Sequence, residues 1–169
     1  MNKLLILLFL PFFINAFAQK PASGKEKVSA INEKWEEEVL QFTNLEREKR
    51  GLKPLQWNKQ LTFASRYHAK DMAVNNYFDH DSFYRTKKGS LKHVCGTFDR
   101  MEAFINFNAM GENISAGRNS AKATVKAWMD SKGHRENILN KDFTEIGVGY
   151  YYLEDSEYGH YWVQNFGGK

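Results

Sequence analysis

Two imidazoles and one carboxylate, His80, His134 and Glu112, carry the chemistry most readily read from this chain. Neutral ring nitrogens with a carboxylate oxygen suit a borderline divalent cation such as Zn2+, and three ligands leave a fourth position for water. Without a metal, a Glu–His pair moves protons. The spacing is not that of a local metal motif, for there is no H-E-x-x-H and no pair of closely spaced Cys or His. Ser131 lies three residues before His134, but no G-x-S-x-G elbow surrounds it, so a serine nucleophile is not indicated. His80 stands between Asp79 and Asp81, and by itself it reads more readily as a surface-loop residue whose neighbours raise its pKa than as a ligand. His93 has no partner in sequence and reads as solvated.

The elements around these residues follow from periodicity. Glu112 and His134 fall in two Gly-marked polar stretches, residues 110–117 and 131–140, which read as turns. Between them, residues 120–129 place Val125, Trp128 and Met129 on one helical face, with Asn119 or Ser120 as cap and Gly133 as stop. Residues 31–50 give the strongest helix signal: Trp35, Val39, Phe42 and Leu45 recur every three or four positions, and Gly51 ends the run. Asn44 and Arg47 on that helix read as solvated. A Pro54-containing connector leads to a second helix over residues 58–75, capped by Asn58. His68 lies on or beside its apolar stripe, as a hydrogen-bonded core histidine or as a ligand. Residues 83–109 are the least readable; residues 99–107 suggest a helix with Met101, Phe104 and Ile105 on one side. Residues 143–153 alternate as a half-buried strand, with Ile146, Val148, Tyr150 and Tyr152 on one side and Glu145, Gly147, Gly149 and Tyr151 on the other. Residues 160–166 form the return strand of an antiparallel hairpin. Helices first and strands last, with no βαβ alternation, point to an α+β fold.

Composition narrows the function. The chain has 169 residues, 26% charged and 15% aromatic, enough for one domain with a real core. Its formal charge of +4 is mild, and Lys and Arg are interleaved with Glu, so no nucleic-acid stripe is indicated. The single cysteine, Cys95, rules out an internal disulfide and reads as an inert, partly buried thiol. At the start, a basic Met1-Asn2-Lys3, an apolar run and Ala16-Phe17-Ala18 match a signal peptide over residues 1–18, too short to span a membrane. Residues 19–30 read as a disordered spacer and 31–169 as the domain. The expected location is secreted or periplasmic.

A resemblance joins these motifs. Asn44-x-x-Arg47, Leu55-x-Trp57, His68-Ala69, Phe78-x-His80, Gly111-Glu112-Asn113-Ile114, Trp128-Met129, Gly133-His134-Arg135-x-Asn137-Ile138-Leu139, residues 143–149 and residues 161–167 occur in one order along the chain. In that order they resemble a bacterial member of the CAP superfamily: cysteine-rich secretory proteins, antigen 5 and pathogenesis-related 1. The resemblance implies a three-layer α-β-α sandwich with a central antiparallel sheet. It also implies a central cleft lined by His80, Glu112 and His134, with Ser131 beside them. Eukaryotic members carry a second Glu where this chain has Ser131, which leaves a His2Glu set.

The leading reading is a secreted binding module, expected to be a monomer. Its cleft would hold a divalent cation, a lipid or a cell-surface ligand without turnover. The alternative is a Zn-dependent hydrolase using His80, Glu112 and His134, a metal-dependent peptidase or esterase. A third reading makes the cluster purely structural, tying loops to the core.

Overall fold

The computed structural model describes residues 21–168, so the expected signal peptide lies outside the described residues. Eleven elements follow one another: α1 (Glu33–Glu48), β1 (Gln56–Trp57), α2 (Lys59–Asn75), β2 (Ser82–Arg85), β3 (Leu91–Cys95), α3 (Thr97–Phe104), β4 (Ala109–Ala116), α4 (Ala121–Asp130), α5 (Lys132–Ile138), β5 (Phe143–Tyr152) and β6 (His160–Gly168). The main sheet has the order β1-β5-β6-β4. Its long pairings are antiparallel, and the two-residue β1 adds in parallel to β5. Helices cover both faces, giving the α-β-α sandwich. Among the described residues no helix is long and apolar enough to cross a membrane.

Each face has its own core. On one side Val39 of α1, Val125 and Trp128 of α4 and Ile138 of α5 pack on Ile146, Val148, Trp162 and Phe166. On the other, Ala69, Met72 and Ala73 of α2 pack with Tyr77 on Ile114, Tyr161 and Val163. The helices start where side chains satisfy their free amides. Asn32 accepts from Trp35 N–H at 3.2 Å, and Asn58 accepts from the N–H groups of Gln60 and Leu61 at 2.8 and 3.0 Å.

Several sequence expectations need correction. Strand β5 is buried on both faces over most of its length. Its Gly147 and Gly149 face is where α2 lies, and a Cβ on Gly147 would sit 2.2 Å from the main chain of Leu61 and Thr62. Small residues there mark close backbone approach, which alternation of apolar and polar types does not report. Gly133 does not end α4; it lies inside α5, and Ser131 is the joint between the two helices. Helix α3 runs from Thr97 to Phe104, and Ile105 has already left it. The least readable stretch begins with the β2–β3 hairpin. His93 is exposed, as expected, but it has partners: its Nε2 lies 3.3 Å from Asp81 Oδ2 and its ring meets Phe83 edge-on. In the expected spacer, Ala22 and Val28 pack against the cluster of Ala64, Tyr67 and Phe104, so this segment lies along the domain.

The α1 face also departs from its apolar pattern. Leu45 is exposed, whereas Glu36, Thr43 and Arg47 are buried. Arg47 donates to the carbonyls of Lys53, Ile138, Asn140 and Phe143 at 2.8–3.3 Å. Asn44 exchanges two hydrogen bonds with the Leu55 main chain. Glu36 takes the Arg66 guanidinium and accepts from Tyr150 N–H at 3.1 Å. Buried ions survive because each has partners, and those partners are remote in sequence.

Candidate functional site

Glu112 lies on strand β4, not in a turn, at the edge of the main sheet. Its side chain is 1% exposed and shares the α2 face of the sheet with Ile114. Three groups close around it. His80, from the loop after α2, donates Nδ1–H to Oε1 at 2.9 Å. Arg100, from α3, donates Nη2 to Oε2 at 2.5 Å. His68, inside α2, has Nε2 4.0 Å from Oε1 and hydrogen bonds to the Asp79 carbonyl at 3.0 Å. His68 and Arg100 are fully buried, while the His80 side chain is 48% exposed. The cluster therefore opens to solvent through His80.

Arg100 is the member that sequence reading missed. Its other nitrogen, Nη1, donates to the His80 carbonyl at 2.8 Å and to Ser82 Oγ at 3.1 Å. One guanidinium thus holds both the carboxylate and the backbone of the imidazole that binds it. The available signal was positional. Arg100 stands one residue before Met101 and four before Phe104, so any helix that buries those two carries Arg100 inward as well.

Helix α5 brings His134 to the other side of the β4 edge. Asn113 donates to the His134 carbonyl at 3.1 Å, and Asn137 donates to the Glu112 carbonyl at 3.1 Å and to Asn113 Oδ1 at 2.9 Å. Gln164 accepts from Asn113 at 3.2 Å and donates to Thr43 Oγ1 at 2.7 Å. Trp128 Nε1 donates to the Ile114 carbonyl at 2.9 Å. The carbonyls of edge residues 112 and 114 thus go to side chains of α5 and α4, which docks those helices on the strand. Ser131 stands at the α4–α5 joint, and its hydroxyl makes no cap bond to α5.

Electrostatics follow from this arrangement. Burial alone would push the Glu112 carboxyl up, but the Arg100 charge and the His80 hydrogen bond outweigh it and hold it below the ordinary range. The hydrogen bond to Glu112 raises His80, against burial. Burial and the Arg100 charge push His68 down to about 3, so it is neutral near pH 7. Burial lowers His134 too, and the nearby charges of His80 and Arg118 add to the effect.

A direct three-ligand metal set is not what these side chains form. Among the described residues no group of three or more His, Cys, Asp and Glu side chains is placed to hold a metal ion. Both Glu112 oxygens are already engaged, one by a cation. What the arrangement does offer is an imidazole whose Nδ1–H is fixed by a buried carboxylate and whose Nε2 is left for a ligand.

Comparison with known proteins agrees with this architecture. The family model for the cysteine-rich secretory protein family matches residues 40–166. The chain is 43% identical over 155 residues to the protein YkwD of Bacillus subtilis, covering 91% of this chain and 54% of that one. It is 39% identical over 129 residues to the membrane protein YlbC of the same organism, covering 76% and 35%. It spans only a third to a half of these curated relatives. Among solved structures, an SCP-domain extracellular protein from Bacillus anthracis superposes with a TM-score of 0.66 at 34% identity, over 82% of this chain and 42% of that one. An outer surface protein from Borrelia burgdorferi superposes with a TM-score of 0.63 at 22% identity, over 85% and 99%, a likeness of fold alone.

Proposed function

This chain belongs to the cysteine-rich secretory protein family, and from that premise we propose that it is a secreted binding module whose His80–His134 site takes a divalent cation such as Zn2+. The observation that carries the reading is the bond from His80 Nδ1 to the buried Glu112. A metal-ligating histidine characteristically donates its other ring N–H to a carboxylate, which fixes the tautomer and aims the free nitrogen outward. Glu112 then positions a ligand and is not one itself. His80 and His134 are the residues that would hold the cation, which would bind water or an acidic group of a partner as a Lewis acid. With both its oxygens held, Glu112 suits orientation better than proton transfer, so binding is favoured over hydrolysis.

Calorimetric titration with Zn2+ tests this. One site is expected, lost in His80→Ala and His134→Ala and weakened about 10–100-fold in Glu112→Gln. His80 is raised by its Glu112 bond, so a proton competes for the free nitrogen and affinity should fall about tenfold per pH unit below that raised value. No binding at pH 7.5, or binding that survives His80→Ala, ends the reading.

A second ligand class is favoured by a groove of about 550 Å³ between α1 and α4. Phe42, Leu45, Val125 and Met129 give it an apolar floor, and Lys49, Arg50, Lys122 and Lys126 stand at its rim with Glu46 and Asp130. An aliphatic chain with an acidic head suits that lining. Leu45→Glu is expected to abolish uptake of a fluorescent fatty acid while leaving Zn2+ titration unchanged; uptake equal to that of the parent would remove the groove from consideration.

A further inference from the structure

The β2–β3 hairpin presents a surface of a different kind. From Ser82 to Phe98 the chain carries Arg85, Lys87, Lys88 and Lys92 and no Asp or Glu. Residues 87–93 are all exposed. Arg85 is used internally. It donates to the carbonyls of Asn75, Asn76 and Gly89 at 2.8, 2.5 and 2.7 Å, tying the hairpin to the end of α2 and to its own tip. Main-chain bonds from Thr86 to Ser90 and from Gly89 to Thr86, both 2.9 Å, close the turn. Gly89 supplies the positive φ of 85° that the turn requires. The tip is thus built rigidly, and it holds Lys87 and Lys88 outward with Lys92 just behind. None of these three lysines forms a salt bridge among the described residues.

Two apolar side chains of the same stretch are also exposed, one near the tip of the hairpin and one beyond its base. Leu91, next to Lys92, is 40% exposed, and Phe98, on the first turn of α3, is 50% exposed. Tyr84 pairs across the hairpin with Lys92. Cations alone would suit any polyanion. A hydrated polymer offers nothing to an exposed Leu or Phe, whereas the boundary between lipid headgroups and acyl chains accepts both kinds of side chain together. Of the acids that flank the segment, Asp81 is paired with His93, and Asp99 accepts from the Gly96 N–H at the start of α3.

We propose that the β2–β3 hairpin docks this chain on an anionic lipid surface, with Lys87, Lys88 and Lys92 at the headgroups and Leu91 and Phe98 in the interface.

Co-sedimentation of the full chain with sucrose-loaded vesicles tests this, using phosphatidylglycerol mixed with phosphatidylethanolamine against phosphatidylcholine alone. Preferential binding to the anionic vesicles at 0.15 M salt is expected (an apolar leader would not discriminate between the two). Each lysine near such a surface is worth roughly fivefold, so Lys87→Gln/Lys88→Gln/Lys92→Gln should lower the partition coefficient about 100-fold and flatten its salt dependence. Leu91→Ser/Phe98→Ser should weaken binding to vesicles and leave binding to soluble polyphosphate unchanged. Equal binding to both vesicle types, or a triple variant that binds like the parent, overturns the proposal. So does polyphosphate binding as tight as vesicle binding with no dependence on Leu91 and Phe98, which would assign the hairpin to an anionic polymer.

Discussion

Arg100→Leu should destabilise the protein by about 3–5 kcal/mol at neutral pH, the usual loss when one partner of a buried ion pair is removed. The substitution leaves Glu112 charged and buried with only His80 to answer it. It also strips a donor from Ser82 and from the His80 carbonyl. The pH dependence separates this cause from simple loss of packing. In the parent, Glu112 is held below its unfolded value, so its contribution is present above the ordinary carboxylate range and is lost as pH falls through the folded value. His80 is raised, so its pairing contributes fully below about pH 6.5 and is lost as pH rises through the folded value. Without Arg100, Glu112 gains affinity for a proton and His80 becomes easier to charge. Both changes shrink the deficit as pH falls from 7 toward 5. Urea denaturation of parent and variant at several pH values measures it, and a deficit that does not change with pH would assign the loss to packing. Arg100→Lys should fall between the two, because it keeps the charge and loses the fork.

The difficulty of finding Arg100 in the sequence has a physical basis. Periodicity reports where apolar residues recur, and it located α1, α2 and α4 and the β5–β6 hairpin within a few residues. It is blind to a buried ion, whose environment is set by partners far along the chain: Arg47 by carbonyls at 138, 140 and 143, and Glu36 by Arg66 and the Tyr150 amide. Residues 83–109 were hard to read for the same reason. Half of their hairpin faces solvent, and Arg85, whose bonds to Asn75 and Asn76 anchor it, looks like any surface charge. The meeting of His80 and Glu112 came from the order of motifs and not from spacing, since 32 residues and a whole hairpin separate them. Two supposed turns proved to be a strand and a helix. The polar run around Glu112 is polar because an edge strand must bind α5 through Asn113 and Asn137, and such a need resembles a loop in composition.

Gly147→Ala should be as damaging as losing Arg100, though it removes no interaction. The new methyl would stand 2.2 Å from the main chain of Leu61 and Thr62. No rotamer change relieves a clash with backbone, so α2 must lift from β5. That would break the bond from Ser65 Oγ to the Gly147 carbonyl, 3.0 Å long, and loosen Ala69, Met72 and Ala73 from the sheet. Overpacking typically costs about 1–3 kcal/mol, and a rigid neighbour puts this site at or above the top of that range. Because a domain of this size loses roughly 2–4 °C per kcal/mol, the melting temperature should drop by about 10 °C. Gly133→Ala is the matched control. Nothing lies within 4 Å of its added Cβ, and in the first turn of α5 alanine should gain up to about 0.5 kcal/mol, less than in a helix interior. Gly149→Ala meets Arg66 N at 2.2 Å, one helical turn further along the same face of α2. Once the helix has lifted for one methyl, the second finds room already made. The double variant should therefore lose less than the two single losses added together. Strict additivity would mean that the two glycines are accommodated independently, and the picture of α2 seated as one rigid layer on β5 would have to be given up.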